Sequence, residues 1–318
     1  MTEGAVIEVQ NLVKRYDGTA VVKGVSFSVT RGEIFGVLGP NGAGKTTTIL
    51  MLLGLSTISG GQARVLGHDP EREPLAVKRR VGYLPDQVGF YDNLSAAENL
   101  RYTARLIGIE RSEREEKIAS SLAQVGLSEV ANTRVATFSR GMRQRLGLAE
   151  IVMKDAQIAI LDEPTSGLDP QVTVELLDMI RDFKRRGVTV LLSSHLLERV
   201  QSVCDRVALF SEGTIVLMGT VPELGRQVLG GGFRVEVEAQ GQGLAEHLAA
   251  VPGVQKVESL SPTQLLLLAD HDVRPEAAAA VVTAGGRLQR LAVAEPSLEA
   301  IYTRYFHDHP QESAIHAA

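Results

Sequence analysis

Hydrophobic positions along this chain follow two periods, and the switches between them mark its elements. Val6 to Gln10 and Val21 to Val29 alternate β-branched and polar residues around the turn signal Asp17-Gly18, which predicts two strands. The apolar run Glu33 to Leu38 predicts another strand, followed by a glycine-rich loop and a helix-like segment, Lys45 to Leu53. Helical spacing dominates from Ser95 to Leu127 and includes the charged, amphipathic stretch Arg111 to Val125. Two short apolar runs, Ile158 to Leu161 and Val188 to Leu192, predict buried strands, with a helical pattern from Pro170 to Arg186 between them. Strands alternating with helices imply α/β architecture, a mostly parallel sheet covered by helices.

Gly230-Gly231-Gly232 is the best linker candidate, because consecutive glycines resist helix and strand alike. Beyond it the pattern predicts strand (Phe233 to Glu238), helix (Leu244 to Ala250), two strands (Val254 to Leu260, Gln264 to Ala269), helix (Arg274 to Ala284) and strand (Arg287 to Val293). That is the order of a small α+β, ferredoxin-like domain. A last helix, Ser297 to Phe306, follows, and the end from His307 is expected to fray.

Composition narrows the function classes. The chain has 318 residues and is 44% hydrophobic, enough for one large domain and a small one with real cores. Acidic residues exceed basic ones by 38 to 33, so no electrostatic footprint for nucleic acid exists. The single cysteine, Cys204, forms neither an internal disulfide nor a zinc site, which favours the cytosol. The first ten residues lack a secretory signal, and no apolar stretch reaches the ~18 residues of a spanning helix. If the protein works at a membrane, another chain must cross it.

Gly39-Pro40-Asn41-Gly42-Ala43-Gly44-Lys45-Thr46 fits G-x-x-x-x-G-K-[ST], after a strand and before a helix. Glycines let backbone N–H groups turn toward phosphates, and the following helix adds its positive end. Lys45 is expected to reach the β- and γ-phosphates, and the Thr46 hydroxyl to ligate Mg²⁺. Downstream, the strand Ile158 to Leu161 ends in two adjacent carboxylates. Strand alternation would send them in different directions, Asp162 to a metal and Glu163 to an attacking water as general base. The bland alternative is an acidic turn capping the next helix. His195 follows Ser193-Ser194 at the end of a similar strand, so it is expected at the same sheet edge, touching the γ-phosphate.

Between these motifs lies Phe138-Ser139-Arg140-Gly141-Met142-Arg143-Gln144-Arg145. With Gly39 to Thr47, Leu161 to Thr165, Ser166-Gly167-Leu168-Asp169-Pro170 and His195, the chain resembles an ABC transporter ATP-binding subunit over roughly residues 6–224. The resemblance implies a P-loop core with a helical subdomain (about 88–150) and an antiparallel β subdomain in a domain spanning 1–229. A small domain would follow at 230–308, and a flexible tail at 309–318. It implies ATP and Mg²⁺ as cofactors, with Thr47 beside the phosphates. Ser139 and Gly141 would open a helix that meets the γ-phosphate held by a second ATP-binding subunit, in a head-to-tail homodimer. Asp169 would bridge the two sites. Tyr16 would stack on adenine, although a strand-end tyrosine also suits a core. Arg140 and Met142 depart from the usual glycine and glutamine. Asp86, with Gln87 behind it in Tyr83-Leu84-Pro85-Asp86-Gln87, stands where a metal-sensing glutamine is usual, and either residue is a candidate for the metal.

These variants, with Glu295-Pro296-Ser297-Leu298-Glu299, resemble the bacterial drug-export and antibiotic-resistance subgroup. A related subgroup serves maturation of periplasmic nitrous oxide reductase. The resemblance implies a transmembrane permease on a separate chain, received by the helical stretch Leu94 to Val125 with Phe90 and Tyr91. It places the protein on the cytoplasmic face of the cell membrane, as a peripheral subunit. A soluble ABC ATPase for DNA repair or ribosomes fits less well, because neither sustained heptads nor a second cassette is present. A non-hydrolysing regulatory module is opposed by Glu163.

Overall fold

The computed structural model describes residues 4–229, 233–293 and 296–308. The linker glycines 230–232, Glu295 and the tail 309–318 lie outside the described residues. The chain divides into two compact units, Met1–Gly219 and Thr220–Ala318.

The first unit opens with β1 (Ala5–Tyr16) paired antiparallel to β2 (Thr19–Thr30). Asp17 and Gly18 join them with φ of 46° and 82°, the double left-handed geometry of a two-residue hairpin turn. β1 runs well past Gln10 because a bulge at Asn11, φ 48°, interrupts its alternation, leaving Val9 and Leu12 both buried. Next come β3 (Ile34–Leu38), α1 (Lys45–Leu52) and β4 (Gly60–Val65), and β4 completes a sheet in the order β2-β1-β4. This is the antiparallel β subdomain.

The chain continues through α2 (Pro74–Arg80), β5 (Val81–Leu84), α3 (Ala96–Leu106), α4 (Arg111–Gln124) and α5 (Arg140–Met153). Ser95 and Glu98 form a capping box that starts α3, and Gly108, at φ 80°, separates it from α4. The long helical pattern is therefore two helices. After them come β6 (Ile158–Asp162), α6 (Pro170–Arg185), β7 (Thr189–Ser194), α7 (Leu197–Gln201), β8 (Arg206–Ser211) and β9 (Thr214–Gly219).

The central sheet has the order β5-β6-β7-β3-β8-β9, parallel except for β9 at one edge. Every residue of β3, β6 and β7 is buried, as strands covered on both faces must be. Leu38 sits beside Ser194 and Asp162 beside Ser193, so the loops after β3, β6 and β7 leave from one edge. Ligands bind at that edge in open α/β sheets.

In the second unit α8 (Val221–Leu229) precedes β10 (Phe233–Gln240), α9 (Leu244–Ala249), β11 (Val254–Ser261), β12 (Gln264–Ala269), α10 (Arg274–Thr283), β13 (Arg287–Val293) and α11 (Leu298–Asp308). The antiparallel sheet, in the order β11-β12-β10-β13, has the ferredoxin-like arrangement expected from the pattern. Its core joins Val235 and Val237 on β10 to Leu248, Leu267 and Val281. The compact division falls ahead of the expected boundary at residue 230, because α8 packs on α11. Gly225 makes room for Pro296 there: a Cβ on it would stand 2.6 Å from the proline ring.

Candidate active site

The buried strand β3 delivers the glycine-rich loop. Gly39 has φ 148°, and a Cβ there would fall 2.2 Å from the Phe210 carbonyl oxygen on β8, so no side chain fits. Gly44, at φ 95°, caps α1, whose first N–H groups lack helical partners. Asn41 and Gly42 lie exposed at the loop tip, while Ala43 and Gly44 are buried and Pro40 and Thr47 partly so. Lys45 is buried, its ammonium donating to the carbonyls of Gly39 (2.7 Å) and Pro40 (3.0 Å). The exposed Thr46 hydroxyl donates to Asp162 Oδ1 at 3.2 Å.

Asp162 closes β6, and Glu163 does not continue it. Glu163 turns into the left-handed region at φ 49°, which costs a non-glycine residue on the order of 1–3 kcal/mol. The two carboxylates are therefore separated by a strained turn rather than by strand alternation. Asp162 Oδ1 accepts a second hydrogen bond, from Ser193 Oγ at 2.5 Å, and Ser193 Oγ in turn accepts the Glu163 N–H at 3.0 Å. Glu163 Oε2 is held by His195, 2.7 Å from Nδ1 and 3.3 Å from the backbone N–H. Its Oε1 lies 3.2 Å from the Lys45 ammonium, yet it is buried without a hydrogen bond of good geometry. Thr46, Asp162, Ser193, Glu163, His195 and Lys45 thus form one connected cluster.

The donor set suits a hard cation. One hydroxyl and one carboxylate match the few protein ligands that Mg²⁺ takes when phosphates and water supply the rest. Among the described residues, no group of three acidic, histidine or cysteine side chains forms a protein-only metal cage. Burial first, then the charges of Asp162 and Asp86, push the Tyr83 hydroxyl up to about 12. Both carboxylates therefore act on one neighbourhood at the end of β5.

A family model for ABC transporters matches residues 22–166, which contain this loop and the acidic pair. The chain is 34% identical over 302 residues to the linearmycin resistance ATP-binding protein LnrL of Bacillus subtilis, covering 93% of this chain and 96% of that one. The chain belongs to the ABC transporter family. It is also 37% identical over 261 residues to the daunorubicin/doxorubicin resistance ATP-binding protein DrrA of Streptomyces peucetius, covering 81% and 79% of the two chains. A solved ATP-binding subunit of an ABC transporter superposes with a TM-score of 0.65 at 31% identity, covering 71% of this chain and 94% of that one. As an ABC ATPase of this kind, the chain binds and hydrolyses ATP.

The remaining family motifs have local partners. Ser139 caps α5 by accepting the Met142 N–H, and Gly141 in the first turn presses on Val172, where a Cβ would meet its methyl at 2.6 Å. Asp169 caps α6 through the Val172 N–H at 2.9 Å, so its carboxylate already has a structural task. Tyr16 is 47% exposed and is no core residue; Lys14 lies over its ring at 4.8 Å. Asp86 pairs with Arg140 at 2.7 Å, and Gln87 beside it is exposed. The two departures from the family pattern at residues 86 and 140 are thus in contact. Sequence reading gave no role to Ser193, the hydroxyl that joins both acidic residues. The available signal was its place at the end of an apolar strand resembling the Asp162 strand.

Proposed function

We propose that this ABC ATPase dimerises head to tail with a second copy and powers a separate membrane permease that exports drug-like compounds. The observation that carries the reading is the placement of Glu163, between Lys45 and His195 and beside the Thr46–Asp162 pair. Glu163 acts as general base on the water that attacks the γ-phosphate, a role worth about 10²–10⁴ in rate. His195 orients that carboxylate and lies next to the phosphate. Lys45 exchanges its loop carbonyls for phosphate oxygens, and Thr46 and Asp162 hold Mg²⁺, which supplies charge neutralisation when bound. Residues 39–47 cradle the phosphates. Tyr16 faces adenine, while Ser139, Gly141 and Asp169 serve the site of the other subunit.

Export is favoured over copper-enzyme maturation by the resistance proteins named above, whose resemblance extends into the second unit. No helix of the described residues is long and apolar enough to cross a membrane, so in the proposed complex the spanning segments belong to the permease, with this chain peripheral on the cytoplasmic face. A cavity of about 350 Å³ between Leu53, Tyr83, Thr103, Ile107 and Glu150, with exposed Tyr91 and Tyr102 on nearby elements, suits a permease segment. In steady-state assays with the permease present, Glu163→Gln is expected to bind ATP and lose turnover. Wild-type turnover in that variant would refute the catalytic assignment. Purification of the native complex would identify the membrane subunit.

A further inference from the structure

Lys14 is only 6% exposed, and a buried charge is costly unless other groups hold it. Its ammonium donates to the Thr57 carbonyl at 2.7 Å and to the Thr57 hydroxyl at 3.0 Å. Both oxygens are neutral, so the charge still acts on what else it touches. It lies over one face of the Tyr16 ring, 4.8 Å from the centre. At that distance the ring quadrupole attracts a cation, more strongly when the cation is desolvated. The far end of the ring is tied as well: the Tyr16 hydroxyl shares a long hydrogen bond, 3.4 Å, with Ser56 Oγ. These contacts adjoin the phosphate loop. Lys14 is paired with Val22 across the β1–β2 register, and a Cβ on Gly44 would meet the Val22 methyl at 3.3 Å and the Val21 carbonyl oxygen at 2.9 Å. Ser56 and Thr57 belong to the connection from α1, the helix that the phosphate loop opens, to β4. That connection is stitched to β1 again where the Arg15 N–H donates to Ser59 Oγ at 3.0 Å and the Ser59 N–H to the Val13 carbonyl at 2.9 Å.

We propose that Lys14 is a positioning residue for recognition of the nucleobase, holding one face of the Tyr16 ring against its ammonium so that the other face is presented to adenine. This deepens the assignment of Tyr16 to adenine made above and rests on it. A half-exposed tyrosine ring with no such hold samples several rotamers and loses that freedom when a base stacks on it. A ring already fixed to Lys14 and Ser56 carries that ordering before the nucleotide arrives. The phosphates are cradled by a different set of residues, 39–47, so the contribution of Lys14 falls on the base.

The test is calorimetric titration of the purified full chain with magnesium ATP and, separately, with magnesium tripolyphosphate, which carries the phosphates without a base. Lys14→Gln keeps donors for the Thr57 oxygens but removes the charge. It is expected to weaken ATP about two- to tenfold while tripolyphosphate binds as to the parent chain. Lys14→Arg keeps a cation over the ring and is expected to retain the ATP affinity. In the Tyr16→Ala background, Lys14→Gln should cause no further loss. An unchanged ratio of ATP to tripolyphosphate affinity in Lys14→Gln overturns the proposal, whether both ligands are kept or both are lost. So does an equal loss in Lys14→Arg, or a further loss in the Tyr16→Ala background, since either would mark a packing effect rather than a fixed ring. Tyr16→Ala separates the two readings. If it spares the preference for ATP, the assignment of Tyr16 to adenine falls together with the proposal. A selective loss of ATP there, with Lys14→Gln unchanged, overturns the Lys14 proposal alone.

Discussion

Ser193→Ala separates the stability of the site from its chemistry. Ser193 is fully buried, donates to Asp162 Oδ1 at 2.5 Å and accepts the Glu163 N–H at 3.0 Å. Alanine strands the part-buried Glu163 amide and removes one of the two hydroxyls on Asp162; together these losses come to about 2–4 kcal/mol. For a unit of this size that lowers the melting temperature by about 5–15 °C. Calorimetry on the full chain should show it in the transition that nucleotide stabilises. Turnover should fall further than folding explains, because misplacing reacting groups by about 1 Å costs on the order of 10² in rate. The control is Ser194→Ala. Ser194 is equally buried and accepts the Leu196 N–H at 3.0 Å, but it touches neither carboxylate. It should lose comparable stability with a much smaller loss of turnover. If both variants lose the same turnover, measured well below their melting temperatures, Ser193 does not position the acidic pair.

Gly39→Ala places a methyl 2.2 Å from the Phe210 carbonyl oxygen, a backbone atom that cannot rotate away. The loop must shift, and ATP affinity measured by calorimetric titration should fall at least about tenfold, as a displacement of the phosphate cradle implies. Glu150, in the cavity at the end of β5, is pushed above its ordinary 4.5 by burial, against a Thr103 hydrogen bond and the Lys154 charge. A raised carboxyl stabilises the fold only while protonated, so its contribution is lost as pH rises through the shifted value. In urea denaturation, the stability of Glu150→Gln relative to the parent chain should therefore improve between about pH 4 and pH 8; a pH-independent difference would contradict the shift.

The fold was legible where one period held over a whole element. The alternating strands and helices after Phe233 give the second unit its order almost residue for residue, because each strand there keeps one face on a single small core. Legibility failed where the backbone left its period. The bulge at Asn11 hid the second half of β1, and β4, β5, β8 and β9 carried no clear period of their own. At the site, the loop and acidic pair were readable because glycine spacing and strand-end carboxylates are local. Ser193 and the Asp86–Arg140 pair were not, since parallel register and a contact across 54 residues belong to the folded sheet. The two departures at residues 86 and 140 looked independent in sequence and are one ion pair in space.

The same cluster shows why the site is a poor place for the fold to gain stability. Glu163 holds a left-handed backbone without being glycine, and one of its buried oxygens has an ammonium neighbour but no well-formed hydrogen bond. Lys45, also buried, spends its donors on two carbonyls of its own loop. Each feature opposes local preference, and such conflicts persist only where the surroundings over-determine them. Here those surroundings are two fully buried strands, β6 and β7, locked in parallel register with Asp162 opposite Ser193. On the proposed reading, ATP changes the partners of the Lys45 ammonium, since charged phosphate oxygens replace the neutral carbonyls of its own loop. The strain at Glu163 is untouched by that exchange, because it sits in the backbone. On that same reading, the His195 contact holds the Glu163 carboxylate in place, and the lysine is the group expected to move.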